Sequence, residues 1–171
     1  MTSSTSLAPT TAPTRGPSVL AILVARSSTP ALRACLHALA DQTYETLGIL
    51  AVDDAADEET HELLERALGP SRVIRNEEPV GYTRSLAIAL AQPAVAAADQ
   101  LLLLHGDTVL DPDAVASLVD ATSLPGAEPV GIVGAKVVDL EQARELRDVG
   151  RSVDRFGHAM SPLQTLDMIR V

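Results

Sequence analysis

The feature that most constrains the fold is a regular alternation of strand-like and helix-like segments that begins after Pro17. Mostly apolar segments of strand length predict five strands, at residues 18–25, 46–52, 71–76, 100–107 and 130–138. Segments with apolar residues at helical spacing lie between them. Strands that alternate with helices predict βαβ units, so we expect an α/β, Rossmann-like fold with a mostly parallel sheet and helices on both faces.

Capping signals mark where these helices begin and end. Thr29 and Asp57 are typical N-cap residues, and Pro30 stands at the first helical position, where proline is tolerated. The other boundary signals are Gly69-Pro70 after the second helix, Gly81 before the third and Asp111-Pro112 before the last.

Composition limits the kind of core that the chain can form. Apolar residues make up 46% of the 171 residues, which fits one folded domain, but aromatic residues make up only 2%. The core must therefore consist of Leu, Val, Ile and Ala. The single cysteine, Cys35, excludes an intrachain disulfide and a Cys-cluster zinc site, and it fits a reducing compartment. Its place in an apolar helical pattern predicts a buried, inert thiol.

The charge of the chain argues against a nucleic-acid partner. The formal net charge is −10, and the sequence shows no basic patch that would contact phosphates. An acidic chain can still bind an anionic ligand when a helix N-terminus or a metal ion offsets the repulsion. No apolar stretch approaches the roughly 20 residues that a membrane-spanning helix needs.

These patterns divide the chain into three segments. Residues 1–16 are rich in Ser, Thr and Pro and predict a disordered tail without the features of a signal peptide. Residues 17–140 carry the α/β pattern and form the predicted domain. Residues 141–171 predict an irregular C-terminal arm, with short alternating segments around Gly150 and Gly157 that are typical of a hairpin.

Polar residues gather where the predicted strands end. Arg26 follows the first strand, Asp53-Asp54 follows the second, and Gly81 precedes the helix after the third. His105 and Asp107 end the fourth strand. Ligands of open α/β sheets bind outside the carboxyl ends of strands that lie about 4.8 Å apart. We therefore expect these residues to share one rim of the sheet.

His105 and Asp107 are candidate metal ligands. Residues two apart in an extended segment point to the same side. An imidazole with a carboxylate suits Mn²⁺ better than Mg²⁺, which prefers oxygen ligands. The alternative is that residues 106–108 form a turn and His105 is an ordinary polar residue. Two further histidines, His37 and His61, lie in predicted helices and are expected to face solvent.

The remaining candidates each have a structural alternative. Asp53-Asp54 can accept hydrogen bonds from a base N–H or a ribose hydroxyl, or can form a turn or a helix cap. Gly81 can bring backbone N–H groups close to a phosphate, or can simply form a turn. Arg84 can reach a diphosphate, or can be a surface residue. Arg26 has no evident structural role, and its alternative is to face water.

Two longer pieces of the sequence carry a resemblance to a known family. They are ALADQTYETLGILAVDDAADEET, with its Q-T-Y turn and acidic strand end, and LLLLHGDTVLDPDAV, with a variant D-x-D strand end and the helix after it. With these pieces, residues 17 to 158 resemble the N-terminal, nucleotide-sugar-binding part of family 2 glycosyltransferases. The resemblance implies a GT-A fold.

The resemblance implies which residues bind the nucleotide. Asp53 and Asp54 would lie at the uracil and ribose of a nucleoside diphosphate, with Gly81 and Arg84 beside it. Arg26 would belong to the same site, although the family usually has a Tyr-Asn pair or a similar pair at its position.

The resemblance also implies a divalent metal, Mn²⁺ or Mg²⁺. Asp107 would be the last acid of the D-x-D motif and would hold the metal on the diphosphate. His105 stands where the first acid is usual, and Gly106 replaces another acidic position, a change that weakens a magnesium site. The task of the metal would be to neutralise the charge of the leaving diphosphate.

The function that the resemblance implies is transfer, with inversion, of a sugar from a UDP- or GDP-type nucleotide sugar to a glycan or lipid acceptor. The implied location is the cytoplasm, at the inner face of the membrane if the domain belongs to a longer protein. No Glu-Asp pair and no Gln-x-x-Arg-Trp motif comes after residue 139, so no catalytic base is assigned. Residues 141–171 are predicted to begin an acceptor region that this sequence does not contain.

Two other functions stay open. One is a catalytically inactive nucleotide-binding or assembly module of the same fold. The other is a phospho-receiver domain, suggested by Asp53-Asp54, Asp107 and Lys136. Two features count against it: the acidic pair comes after the second strand rather than the first, and Lys136 lies inside a predicted strand.

Overall fold

The computed structural model describes residues 16–27, 30–123, 130–140, 145–148, 150, 152–153 and 159–160. Most of the predicted N-terminal tail and of the predicted C-terminal arm lies outside these residues, as does the predicted N-cap Thr29. The centre of the fold is a four-stranded, fully parallel sheet in the order β3-β2-β1-β4. Its strands are β1 (Val19–Ala25), β2 (Leu47–Asp53), β3 (Val73–Arg75) and β4 (Gln100–His105).

A 3-10 helix (Pro70–Arg72) precedes β3, and five α-helices accompany this sheet among the described residues. They are α1 (Pro30–Ala40), α2 (Glu58–Leu68), α3 (Tyr82–Leu90), the short α4 (Pro93–Ala96) and α5 (Ala114–Thr122). Helices α1 and α2 pack on one face of the sheet and helices α3 and α4 on the other. Helix α5 packs with Val19 at the start of β1. The prediction of an α/β fold with helices on both faces of a parallel sheet is confirmed.

The core forms on both sides of β1 because all seven of its residues are buried. Ala21 and Leu23 contribute to the cluster under α1 and α2, whereas Ile22 and Val24 contribute to the cluster under α3. A central strand covered on both faces needs apolar residues at every position, which explains the uninterrupted run VLAILVA.

Most predicted elements agree with the structure, but several boundaries differ. The third strand is shorter than predicted, at Val73–Arg75 rather than residues 71–76, and the fourth strand ends at His105 rather than at Asp107. The strand predicted at residues 130–138 is wrong over most of its length, because only Val137–Val138 (β5) is a strand and Ile132 is 94% exposed. A strand needs a partner to pair with, and within the part of the chain that the structure describes, the partner of β5 is the short antiparallel strand β6 (Leu146–Asp148). Helix α5 begins two residues later than predicted, with Asp113 rather than Asp111 at the N-cap.

The C-terminal part contains a further antiparallel pair, β7 (Ser152–Val153) and β8 (Ala159–Met160). Gly150 precedes it with φ +95°, a conformation that favours glycine. The longest helices described, α1 and α2, have 11 residues each, and no helix in the described part of the chain is long and apolar enough to cross a bilayer.

Candidate active site at the carboxyl ends of the strands

A cavity of about 260 Å³ opens at the carboxyl ends of β1 and β4. Three of the predicted site residues line it, namely Arg26 after β1 and His105 and Asp107 at the end of β4. The strand register explains why these ends meet, since Val24 pairs with His105 while Ala25 pairs with Asp53 on the other side. The prediction that the polar strand ends gather at one rim therefore agrees with the topology.

The end of β4 turns sharply instead of continuing as a strand. The N–H of Thr108 donates to the carbonyl of His105 at 3.1 Å, so the alternative of a turn at residues 106–108 is correct. The expectation that His105 and Asp107 share one side of an extended segment is wrong, because the strand ends at His105. The turn nevertheless leaves both side chains exposed, and both line the cavity.

Gly106 lets this turn lie against the end of β1. A Cβ atom at this position would lie 3.3 Å from Cδ1 of Leu32 and 3.4 Å from the carbonyl oxygen of Val24. Contacts of that length are tight, so a larger side chain would push β4 away from β1 or fill part of the cavity. An acidic side chain at position 106 would therefore meet close packing against Leu32 and Val24.

The imidazole of His105 stacks on the ring of Tyr82, the first residue of α3. The ring centroids are 3.9 Å apart and the planes differ by 11°. Burial raises the pKa of the Tyr82 hydroxyl above its ordinary value, so the phenol stays neutral near pH 7. Tyr82 also lines the cavity, and sequence reasoning missed it. The one signal for it was its position directly after Gly81 in a chain with only two tyrosines.

Asp54 lies at the same rim but is buried, with a side chain that is 0% exposed. Its Oδ1 accepts hydrogen bonds from the backbone N–H of Val80 at 2.8 Å and from the side chains of Asn76 and Ser85, each at 3.0 Å. Its Oδ2 accepts from the N–H of Gly81 at 2.9 Å. The carboxylate thus ties the end of β2 to the N-terminus of α3.

These donors decide the charge state of Asp54. Burial by itself would raise the pKa of this carboxyl, but hydrogen bonds from Val80, Asn76, Ser85 and Gly81 lower it below its ordinary value of 3.8. The result is an ionised carboxylate inside the fold, at the helix end where the backbone dipole favours negative charge.

Asp53 is equally buried, and its contacts are with α2 and β3 rather than with α3. One oxygen accepts from the N–H of Ala56 at 2.8 Å. The other lies 3.0 Å from Nδ1 of His61 and 3.4 Å from Nε of Arg75. The prediction that His61 faces solvent is wrong, since its side chain is only 16% exposed and contacts Asp53. Its helical spacing with Leu64, three residues on, was the signal for the buried face.

Gly81 and Arg84, the other predicted site residues, are not among the described residues that line the cavity. Gly81 has φ +83°, which favours glycine, and its N–H already donates to Asp54. Arg84 is exposed one turn into α3. Arg26 links the cavity to the buried carboxylate of Asp54, because its Nε lies 3.4 Å from Oδ2 of Asp54 while its side chain is 63% exposed at the cavity.

Cys35 lies directly behind the end of β4. Its Sγ lies 3.9 Å from the carbonyl oxygen of His105, and the residue is 0% exposed. Burial, reinforced by the negative charge of Asp107, raises the pKa of the thiol to about 11. The predicted role as a buried core residue agrees with this position.

The Q-T-Y turn of the sequence has a structural role at the amino end of the sheet, opposite the cavity. Gln42 donates to the carbonyl of Asp111 at 2.7 Å and accepts from the N–H of Val115 at 3.1 Å. Val115 lies in the first turn of α5, so Gln42 caps that helix from outside. The turn therefore fixes the start of α5 at the amino end of the sheet.

The chemistry of the donors fits part of a metal site. In the part of the chain that the structure describes, no three His, Cys, Asp or Glu side chains come together as a possible metal site. His105 and Asp107 would thus supply only two ligands. Metal ions that act on phosphates commonly take few protein ligands and complete their shell with phosphate oxygens and water.

The comparisons with known proteins agree with this geometry. A family model described as "Glycosyl transferase family 2" matches residues 21–147, which is more than half of the chain. The chain belongs to glycosyl transferase family 2. A comparison with curated protein sequences gave no match.

Solved structures of glycosyltransferases share the fold. The mannosyltransferase PcManGT from Pyrobaculum calidifontis, in complex with GDP-Man and Mn²⁺, is 22% identical over 66% of this chain and 34% of its own, with a TM-score of 0.56. S. aureus TarS 1–349 is 19% identical over 74% of this chain and 43% of its own, with a TM-score of 0.51. TarS 1–349 in complex with UDP is 17% identical over 73% of this chain and 43% of its own, with a TM-score of 0.50. The fold of this family 2 chain is thus GT-A, and the chain spans well under half the length of each of these structures.

Proposed function

We propose that this family 2 domain binds a nucleotide-diphosphate sugar in the cavity between β1 and β4, as the donor-binding part of a glycosyltransferase. The observation that carries the proposal is the convergence of Arg26, His105 and Asp107 on one cavity at the carboxyl ends of parallel strands. The complexes of PcManGT with GDP-Man and Mn²⁺ and of TarS with UDP support a ligand of this class.

Each of the three side chains has a task in donor binding. The guanidinium of Arg26 carries five N–H donors, so its contact with Asp54 through Nε leaves donors for a phosphate. Asp107 and His105 would hold a divalent cation, which supplies charge neutralisation for the diphosphate that leaves. In a chain of net charge −10, one arginine and a cation at the cavity would offset the repulsion of the anionic ligand.

Asp53 and Asp54 have a supporting task in this proposal. They fix α2, β3 and α3 around the rim through contacts with the chain itself. Direct contact of either carboxylate with a base or a ribose stays a prediction, as does a contact of Gly81 or Arg84 with the nucleotide.

The wider setting is also part of the proposal. Residues 17–140 form the donor-binding unit, and residues 141–171 begin the part that would receive the acceptor, a glycan or a lipid. The single cysteine supports a cytoplasmic location. The second candidate, a nucleotide-binding module without transfer activity, is favoured by His105 and Gly106, which stand where the family usually has acidic residues.

A thermal-shift experiment tests donor binding. UDP and GDP, each with Mn²⁺, Mg²⁺ or no metal, are added to the chain, and ADP serves as a comparison. A nucleotide that binds only the folded state adds about 2.7 kcal/mol when its free concentration is 100 times the dissociation constant. We expect UDP or GDP to raise the melting temperature, and Mn²⁺ to increase that rise.

The variant Asp107→Asn should lose the part of the rise that depends on Mn²⁺. Asp113→Asn is the matched control, because it removes the same charge six residues away, at an exposed position that does not line the cavity. A flat response to both nucleotides with every metal would refute the donor site. Slow hydrolysis of a UDP- or GDP-sugar by the wild type would favour the transferase over the inactive module.

A further inference from the structure

The stacked pair of Tyr82 and His105 is the most specific contact at the cavity that the proposed roles do not yet use. It joins the first residue of α3 to the last residue of β4, across the end of β1. Both rings line the cavity, and the planes are parallel within 11° at a centroid distance of 3.9 Å. Such a contact fixes the plane of an imidazole that is otherwise exposed.

The orientation of an imidazole matters because its two nitrogens lie in the plane of the ring. Rotation about the second side-chain torsion of histidine is soft, so an exposed histidine samples many ring orientations. A ring stacked on one face loses that freedom, while its edge, which carries the nitrogens, stays accessible. The stack therefore selects the direction in which His105 can donate a lone pair.

We propose that Tyr82 is a positioning residue, which holds the imidazole of His105 in the orientation that binds a divalent cation on the diphosphate. The inference rests on the proposed function of the cavity. In this proposal α3 contributes to the site through Tyr82, whereas the sequence suggested a contact of Gly81 with a phosphate. This role of Tyr82 also explains how a histidine at an exposed strand end can act as an ordered ligand when the described residues that line the cavity supply one other, Asp107.

The groups that orient a metal ligand usually affect the affinity for the metal strongly. Loss of such a partner commonly lowers metal affinity by about 10-fold to 100-fold. Tyr82 orients His105 through its ring face and not through its hydroxyl. Phenylalanine should therefore replace it, whereas leucine, which fills similar space without a flat face, should not.

The first experiment measures Mn²⁺ binding by the decrease of the free-ion electron paramagnetic resonance signal, in the presence of saturating UDP or GDP. Tyr82→Leu should weaken Mn²⁺ binding by about 10-fold, and Tyr82→Phe should stay within about 2-fold of wild type. Tyr44→Leu is the matched control, because Tyr44 donates to the carbonyl of Pro17 at the opposite end of β1. It should leave Mn²⁺ affinity unchanged.

The second experiment observes the wild-type chain, and a variant is needed only to assign its signals. The chain has two tyrosines and no tryptophan, so proton spectra of the tyrosine rings are simple, and Tyr44→Phe assigns them. Mn²⁺ with the nucleotide should broaden the ring signals of Tyr82 far more than those of Tyr44. Broadening that spares Tyr82 would place the metal away from His105 and overturn the inference.

The outcomes separate the inference from the proposed function. If the wild type binds neither nucleotide with Mn²⁺, both fail. If the wild type binds and Tyr82→Leu, folded by its melting curve, binds Mn²⁺ equally well, only the positioning role fails. If Tyr82→Leu weakens nucleotide binding equally with and without Mn²⁺, the ring contacts the nucleotide itself, and the role through the metal ligand is likewise refuted.

Discussion

The ends of β2 and β4 carry similar acidic signals in the sequence, yet the structure uses them differently. Asp54 after β2 is buried and accepts hydrogen bonds from four groups of its own chain. Asp107 after β4 is exposed and lines the cavity. A polar residue at a strand end is thus a candidate for function, but the donors that the fold places around it decide whether it serves the fold or a ligand.

The difference arises from the segments that the chain places beyond these two strand ends. After β3 the chain brings the N-terminus of α3 to the end of β2, so that backbone N–H groups of Val80 and Gly81 point at Asp54. After β4 the chain makes a short turn, and helix α5 begins only at Ala114, anchored by Gln42 rather than by Asp107. The end of β2 is covered by a helix, whereas the end of β4 stays open.

The largest effect that this comparison predicts is on stability. Asp54→Asn should lower the free energy of unfolding by about 3 kcal/mol, because an amide cannot accept all of the donors around a buried carboxylate. Asp107→Asn, the same change at the open end, should leave the midpoint of urea unfolding nearly unchanged. Urea titration followed by circular dichroism measures both.

The two variants also differ in what they do to ligand binding. Asp107→Asn should keep the stability of the wild type and lose the binding that depends on Mn²⁺, whereas Asp54→Asn should lower the stability and weaken the binding together. Equal destabilisation by the two variants would contradict the assignment of a structural role to one end and a ligand-binding role to the other.

A smaller effect concerns acid stability. The pKa of Asp54 is lower in the folded chain than its ordinary value of 3.8, which stands for the unfolded chain. Its contribution to stability is therefore complete above that value and is lost as the pH falls through the folded pKa. Wild type should lose melting temperature between about pH 5 and pH 2 more steeply than Asp54→Asn. Parallel slopes would show that Asp54 is not held ionised by its donors.

The smallest predicted effect concerns how tightly the end of β4 is packed. The pKa of Cys35, about 11 against an ordinary 9.0, lowers its thiolate fraction near pH 8 by about 100-fold. Iodoacetamide should therefore modify the native chain far more slowly than the chain in 8 M urea. Fast modification of the native chain would mean that the end of β4 opens readily, and mass spectrometry measures the rate directly.

The central fold was predictable because its signals are local. The runs of apolar residues that became β1, β2 and β4 were predicted within one or two residues of their bounds, since strands buried on both faces leave little choice of residue. Asp57 caps α2 as predicted, with its side chain accepting from the N–H of Thr60. The segment at residues 130–138 has the same apolar character. A strand forms only beside another strand, and composition does not reveal whether such a partner is present.

The site was predictable only in part, because its contacts join residues far apart in the chain. The sequence located Arg26, His105 and Asp107, which the structure brings to one cavity. It did not reveal that Asn76 and Ser85 surround Asp54, or that Tyr82 stacks on His105, since spacing implies neither contact. The half-buried position of His61 was visible in its helical spacing with Leu64, although a single polar residue on an apolar face is easily predicted to face solvent.

The carboxylate of Asp54 accepts hydrogen bonds from the backbone at the start of α3. The N-terminus of a helix often binds an anionic ligand, and the loop before the helix then becomes ordered only when the ligand binds. Here the chain supplies its own counter-charge, so the wall that carries Tyr82 is assembled in advance. A donor molecule would enter a preorganised pocket, and little of its binding energy would go into shaping that side of it.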